Sequence, residues 1–169
     1  KYPDHPYFLT VGFKPTTREV TLERVMPSLE KLRPSSALDW ILGTRYKKIG
    51  SAKLDGISFS ITYENGVIVE ATTRGDGIIG QTCLSHAYHI SGIPHKIPFK
   101  GRFIVKGECL IRKDTFLKKY SKQSGDVYSA ERNFVGGQFN ADVTKDVIRK
   151  LKDIDFVAFG AYAPHLKSK

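Results

Sequence analysis

The sequence predicts an α+β domain whose strands pair antiparallel. Apolar residues alternate with Ser and Thr over residues 57–63, and "ENG" at 64–66 has the residue types of a tight hairpin turn. A second strand, "VIVEATT", returns over residues 67–73. Helical patterns are short and interspersed among strands, which argues against a doubly wound parallel sheet. With 169 residues, 40% of them apolar, the chain suits one domain with a substantial core.

The other elements are expected from local pattern. "RPSSALDWILG" (33–43) has serines that can cap a helix and a glycine that can close it. A Gly-rich loop at 73–82 precedes a short helix that ends near His89. Further strands are predicted at 102–111 and 154–163, and further helices at 113–122, 129–141 and 142–152, the second of these weakened by a glycine pair. We expect residues 1–18 to be an irregular lead-in and residues 19–169 to form the domain.

The net charge of +10 creates a positive field that attracts polyanions, nucleic acid first and an anionic membrane second. Because the basic residues are spread along the chain, a folded basic surface is favoured over a flexible arm. No apolar run approaches the roughly 20 residues that a membrane helix needs. Two cysteines, Cys83 and Cys109, are too few for a disulfide framework, so a reducing, cytoplasmic setting is the simplest interpretation.

Two motifs suggest chemistry that their surroundings do not support. "GDGIIG" (75–80) matches a dinucleotide fingerprint, but no carboxylate follows about 20 positions later, and Asp76 would repel a pyrophosphate. Cys83, His86 and His89 have spacings that a metal ion could use, yet no fourth ligand is apparent. A partly buried helix is the favoured interpretation of these three residues.

The stretch "KLDG" (53–56) contains a candidate nucleophile. Lys53 and Asp55 would face the same side of an extended chain, and Gly56 would leave room for a ligand to approach. A nucleophilic lysine must lose its proton, so its pKa of about 10.4 must be lowered by neighbouring positive charge, for which Arg74 is a candidate. Spacing alone favours a solvated Lys–Asp surface pair, worth less than about 1 kcal/mol.

Several motifs follow one another in a fixed order. They are "MPSLEKL" (26–32), "KLDG" (53–56), "TRGDG" (73–77), "VKGE" (105–108), "ERN" (131–133) and "FVAFGAY" (156–162). Over residues 19–163 this order resembles the adenylation domain of NAD+-dependent DNA ligases. ATP-dependent ligases and capping enzymes share K-x-D-G, whereas "TRGDG" 20 residues later is much more specific to the NAD+ family. The resemblance implies an ATP-grasp-like nucleotidyltransferase core with an antiparallel sheet.

The resemblance also implies roles for individual residues. Lys53 would attack the α-phosphorus of the dinucleotide and carry AMP, and Asp55 would assist at the nucleophile and its metal. Nucleotide contacts would come from Ser28 and Leu29 near the ribose, Arg74 and Glu108 on the ribose and phosphate, Arg132 on the nucleotide or a DNA phosphate, and Phe159 stacked on adenine. Carboxylates accept from ribose hydroxyls, and guanidiniums pair with phosphate oxygens. The residues alone leave open a solvated Glu108 and a Phe159 packed in the core.

The activity implied by the resemblance is DNA ligation in replication and repair. NAD+ would supply AMP, Mg2+ would bind transiently, no resident metal ion is expected, and nicked double-stranded DNA would be the substrate. An ATP-dependent DNA or RNA ligase is one alternative. A non-catalytic subunit that binds nicked DNA or a partner protein is the other.

The sequence departs from the family pattern in several places. Ser51 stands where the family has Glu, Asn140 where it has a second Arg, and Gln81 where it has an acidic residue. The nicotinamide-mononucleotide module and the C-terminal lysine motifs of the family are not found. We therefore expect a partial adenylation domain that is slow or inactive alone. It would be a fragment, or a subunit of a split ligase, with a viral or phage form as one version. Its partner would be a second ligase subunit or the remainder of the same protein. No interaction with a membrane is expected.

Overall fold

The computed structural model describes residues 18–27, 33–43, 45–48, 50–121 and 128–164. Its strands are β1 (Glu19–Thr21), β2 (Ile57–Glu64), β3 (Val67–Thr73), β4 (Ile79–Gln81), β5 (Arg102–Ile111) and β6 (Ile154–Tyr162). Its helices are α1 (Pro34–Gly43), α2 (Leu84–Ala87), α3 (Lys113–Lys119), α4 (Glu131–Asn140) and α5 (Lys145–Leu151). Within these ranges, no helix is long and apolar enough to cross a membrane.

The main sheet has the strand order β3-β2-β5-β6, and every neighbouring pair is antiparallel. The β2–β3 turn contains Asn65 and Gly66, whose φ angles of +49° and +83° match the left-handed geometry that a tight hairpin needs. Phe59, Ile61 and Tyr63 of β2 alternate into the core. The structure therefore confirms the predicted α+β class and the predicted hairpin.

One face of the sheet carries the hydrophobic core. Phe134 and Phe139 of α4 are fully buried, and Phe139 stacks on Phe59 of β2 with ring centroids 5.1 Å apart. Leu151 of α5 and Ala87 of α2 are also fully buried in this cluster. The burial of α4 explains why the helix forms across the glycine pair that weakens it in the sequence. The opposite face of the sheet remains available for polar residues.

The structure differs from the sequence prediction in its smallest elements. The end of the predicted loop at 73–82 is a strand, β4, which pairs with β1 through three residue pairs. Strands of three residues are too short to show an alternating pattern. Helix α5 begins later than predicted because the Thr144 hydroxyl accepts a hydrogen bond from Val147 N–H (3.3 Å) and caps it. The predicted lead-in at 1–18 lies outside the described residues, except for Arg18.

Candidate active site

A row of residues crosses the sheet on the face away from the core. Ser58 of β2 lies directly opposite Glu108 of β5, which in turn lies opposite Val157 of β6. Arg74 N–H donates to the carbonyl oxygen of Ser58 (3.0 Å), which continues the row beyond β3. Residues directly opposite on neighbouring strands share a face. The sheet thus brings Arg74 and Glu108, two predicted site residues, to one face with Ser58 between them.

The Glu108 carboxylate is buried and receives two hydrogen bonds from the chain. Its Oε1 accepts from Gly56 N–H (3.1 Å), and its Oε2 accepts from the Ser58 hydroxyl (2.9 Å). Glu108 is 9% exposed, so it is not a solvated strand residue. A carboxylate has about four acceptor positions, so about two remain for a ligand. Glu108 also fastens the end of the K-L-D-G stretch to β5.

Gly56 is needed for a different reason from the one that the sequence suggested. A Cβ atom at Gly56 would lie 2.1 Å from the carbonyl oxygen of Cys109 and 3.1 Å from Cγ of Glu108. Strand β5 therefore occupies the space beside Gly56, and the prediction that this glycine leaves room for a ligand is wrong. The absent side chain allows the loop before β2 to pack closely against β5.

Lys53 and Asp55 are exposed in the loop that leads into β2. Asp55 Oδ1 lies 3.2 Å from Nη1 of Arg132, which is in the first turn of α4. The two side chains are 77% and 54% exposed, so solvent screens the pair and its contribution to stability is below about 1 kcal/mol. The contact nevertheless places two predicted site residues, Asp55 and Arg132, beside the loop that carries Lys53.

The "TRGDG" stretch forms a turn that fixes the position of Arg74. Asp76 Oδ1 accepts hydrogen bonds from Ile78 N–H (2.9 Å) and Ile79 N–H (2.7 Å). Gly75 has a φ of +56°, and a Cβ there would lie 1.9 Å from the carbonyl oxygen of Ile79. Asp76 is thus a turn-forming residue, and the antiparallel sheet around it excludes the parallel dinucleotide-binding unit that "GDGIIG" resembles.

Phe159 lies on β6 at an irregularity of the sheet. The β5–β6 register pairs Lys106 with Gly160 and Gly107 with Ala158, so Phe159 is the extra residue of a β-bulge. Its side chain is 64% exposed, which rules out the interpretation that it packs in this core. An exposed aromatic ring is suited to stacking.

Residues 22–27, here called the crossing segment, contact the polar face of the sheet. Lys106 Nζ donates to the carbonyl oxygen of Val25 (2.9 Å), and the Arg24 guanidinium lies 3.6 Å from the centroid of the Tyr162 ring. Burial, and secondarily the charge of Arg24, lowers the pKa of Lys106. Sequence reasoning missed these contacts and also Ser58; the one available signal was the place of Lys106 in "VKGE". The predicted ribose contacts Ser28 and Leu29 follow this segment and lie outside the described residues.

The cysteine and histidine cluster near α2 is part of the core. Cys83 and His86 are buried, and His86 Nε2 lies 3.0 Å from the carbonyl oxygen of Ala141, to which it must donate. Burial raises the pKa of the Cys83 thiol to about 12 and lowers the pKa of His86. In the part of the chain that the structure describes, no three His, Cys, Asp or Glu side chains are grouped so that they could hold a metal ion.

Residues 39–165 match the family model of the NAD-dependent DNA ligase adenylation domain. The chain belongs to this family. The adenylation domain is 36% identical over 110 residues to the DNA ligase of Helicobacter pylori (strain HPAG1), an alignment that covers 62% of this chain and 16% of that protein. It is 35% identical over 115 residues to the Mycoplasma pneumoniae DNA ligase, covering 66% and 17%. With the Mycoplasma genitalium DNA ligase it shares 31% identity over 147 residues, covering 83% and 22%.

The adenylation domain spans between 16% and 22% of the length of these three relatives. The matched region includes Lys53, Arg74, Glu108, Arg132 and Phe159. Of these, Arg74 and Glu108 share the polar face of the sheet, and Arg132 contacts Asp55 in the loop that carries Lys53. A primary amine, guanidiniums and a buried carboxylate are the kinds of group that bind a nucleotide and attack its phosphate. The adenylation domain therefore contains residue types suited to nucleotidyl transfer.

Proposed function

We propose that this adenylation domain forms a covalent lysine–AMP adduct on Lys53 from NAD+ and transfers the AMP to the 5′-phosphate of nicked DNA. The observation that carries the proposal is the row of Arg74, Ser58 and Glu108. The Glu108 carboxylate in this row accepts a hydrogen bond from Gly56 N–H, and Gly56 is the last residue of the K-L-D-G stretch. The loop with the amine is thereby fastened beside groups that suit the ribose and phosphate of AMP.

The first step is a displacement at phosphorus. Lys53 Nζ, after losing a proton to solvent, donates its lone pair to the α-phosphorus of NAD+, and an N–P bond forms. The P–O bond to the second phosphate breaks, and nicotinamide mononucleotide leaves with the bonding electrons. In the second step a DNA 5′-phosphate oxygen attacks the same phosphorus and the N–P bond breaks. The nick is sealed when the DNA 3′-hydroxyl displaces AMP.

Each predicted site residue has a role in this proposal. Arg74 pairs with a nucleotide phosphate, and the free acceptor positions of Glu108 take the ribose hydroxyls. Asp55 keeps Arg132 beside the nucleophile, where the guanidinium stabilises phosphate charge that develops during attack. Phe159 offers an exposed ring on which adenine stacks.

Mg2+ is proposed as a transient participant. It usually keeps several waters and binds through one or two carboxylates together with substrate phosphates. The described residues fit that mode, since Asp55 offers an exposed carboxylate in the loop that carries the proposed nucleophile. When bound, Mg2+ would neutralise phosphate charge.

DNA and the rest of a ligase are the proposed partners. A net charge of +10 suits a duplex backbone, and binding of that kind weakens steeply with salt. A second ligase subunit, or the remainder of the same protein, is proposed because the relatives are several times longer. A cytoplasmic setting with roles in replication and repair is part of the proposal, and the two free, buried cysteines fit a reducing compartment.

Intact-protein mass spectrometry after incubation with NAD+ and Mg2+ tests the proposal. A longer natural form of the protein should gain the mass of one adenylyl group, the chain alone should gain it slowly or not at all, and Lys53→Ala should abolish the gain. Lys47→Ala, which removes an exposed lysine of a nearby segment, should leave it unchanged. An adduct that persists in Lys53→Ala, an adduct formed from ATP but not from NAD+, or no adduct in either form of the protein would contradict the proposal.

A further inference from the structure

We propose that Ser58 is a positioning residue that aims the Glu108 carboxylate at the ribose hydroxyls of AMP. The inference rests on the proposed function, since it assigns a ligand to the same site. Its observation is the hydrogen bond from the Ser58 hydroxyl to Glu108 Oε2 (2.9 Å), which joins residues 50 positions apart in the sequence.

Two donors from one segment hold the carboxylate. Gly56 N–H donates to Oε1 and the Ser58 hydroxyl donates to Oε2, so each oxygen has one fixed partner. The terminal torsion of a glutamate is broad, and a single donor would leave the carboxylate free to pivot. With both donors present the plane of the group is set, and so are the directions of its unused lone pairs.

The unused acceptor positions match a ribose. A carboxylate offers about four positions, and two vicinal hydroxyls can donate to the two that remain. Glu108 is 9% exposed, so water has little access to those positions. Leaving a buried acceptor position without a hydrogen-bond donor costs free energy. A ligand whose hydroxyls donate to these positions should therefore bind more tightly than a ligand that lacks hydroxyls. Ser58 therefore contributes to selection of the ribose without needing to touch it.

A purely structural role for Ser58 makes a different prediction. Ser58 and Glu108 are already held opposite each other by the β2–β5 ladder, which runs over eight residue pairs from Ile57↔Cys109 to Glu64↔Arg102. If the hydroxyl served only this pairing, its loss would lower stability and weaken binding of every nucleotide equally. If the Ser58 hydroxyl positions Glu108, removing it should weaken the binding of nucleotides that carry the ribose hydroxyls and leave the binding of those that lack them almost unchanged.

The chain offers a matched control in Ser60. It lies two residues further along β2 on the same face and is also partly buried, but it lies opposite Lys106 instead of Glu108. Ser60→Ala removes the same hydroxyl from the same strand. Ser58→Thr is the conservative variant, because threonine keeps a hydroxyl that can donate and is well suited to a strand.

The experiment is a titration of 15N-labelled protein followed by NMR, with AMP and with 2′,3′-dideoxy-AMP as probes. Ser58→Ala should weaken AMP binding about tenfold, which corresponds to one charge-assisted hydrogen bond of about 1.4 kcal/mol. It should leave dideoxy-AMP binding within about twofold of wild type, as expected for a ligand that lacks the matching donors. Ser58→Thr should restore AMP binding, and Ser60→Ala should bind both probes as wild type does.

Three results would overturn the inference. They are equal losses for AMP and dideoxy-AMP in Ser58→Ala, no loss for either, and no binding of AMP by the wild-type chain. The proposed function is judged separately by the Lys53 mass assay, so an adduct on Lys53 together with unchanged AMP affinity in Ser58→Ala removes the inference alone. Hydrogen exchange of the Gly56 amide gives a further readout, since a mobile carboxylate in Ser58→Ala should accelerate it.

Discussion

Gly56→Ala tests whether the loop that carries Lys53 is fastened to β5. The new Cβ would lie 2.1 Å from the carbonyl oxygen of Cys109, more than 1 Å inside the 3.4 Å at which ordinary contact begins. The obstacle is backbone in the middle of a sheet and cannot rotate away. The loop must therefore lift from β5, and the hydrogen bond from Gly56 N–H to Glu108 is stretched or lost.

The expected cost combines two effects. Overpacking of this kind costs about 1–3 kcal/mol, and a hydrogen bond to a charged acceptor contributes about 1.5–3 kcal/mol. Because the two effects overlap, we expect Gly56→Ala to lower the free energy of unfolding by about 3 kcal/mol. With a urea m value of about 2 kcal/mol/M, the unfolding midpoint should fall by about 1.5 M.

Urea unfolding followed by circular dichroism measures this, with Gly50→Ala as the control. Gly50 lies in the same loop, but a Cβ there meets nothing within 4 Å, so its midpoint should stay close to wild type. Equal midpoints for the two variants would refute the reasoning.

Three further predictions concern buried and exposed polar groups. Burial lowers the pKa of His86 below 6.5, so the unfolded chain takes up a proton first and the free energy of unfolding falls as the pH drops below 6.5. In urea unfolding between pH 8 and 5.5, the midpoint of His86→Gln should therefore fall less than that of wild type. Parallel declines of the two midpoints would contradict this. Arg132→Ala should change the free energy of unfolding by less than about 1 kcal/mol, because its pair with Asp55 is exposed, yet reduce adduct yield in the mass assay; unchanged yield would argue against its role. Tyr120→Phe should cost about 2 kcal/mol, seen as a lower melting temperature, because the buried Tyr120 hydroxyl donates to Asp153 (2.5 Å); an unchanged melting temperature would contradict this.

The large elements could be predicted from sequence because their patterns are local. Strand β2 alternates apolar and polar residues, and Asn65-Gly66 supplies the turn, so the hairpin follows from neighbouring residues. Strand β5 was predicted with the bounds that the structure gives. Strands β1 and β4 have three residues each and pair across about 60 positions in the sequence, so no local sequence pattern predicts them.

The motif order predicts which residues form the candidate site, and their roles stay predictions, whereas their contacts could not be predicted from the sequence. The motif order identified Arg74 and Glu108, and the sheet places them on one face. The bond from Ser58 to Glu108 depends on the register of two strands, and the exposure of Phe159 depends on a bulge, so neither follows from spacing. The prediction that Gly56 leaves room for a ligand is wrong because the space left by a missing side chain can be filled by a ligand or by a neighbouring strand. The sequence alone does not distinguish the two.

The central claim is that Lys53 carries the nucleotide, and mapping of the adenylated residue tests it most directly. The protein is incubated with NAD+ and Mg2+, digested at a pH that preserves the N–P bond, and analysed by tandem mass spectrometry. The account predicts one adenylyl group, located on Lys53. An adenylyl group found on any other residue, such as Lys47 or Lys106, would contradict the account.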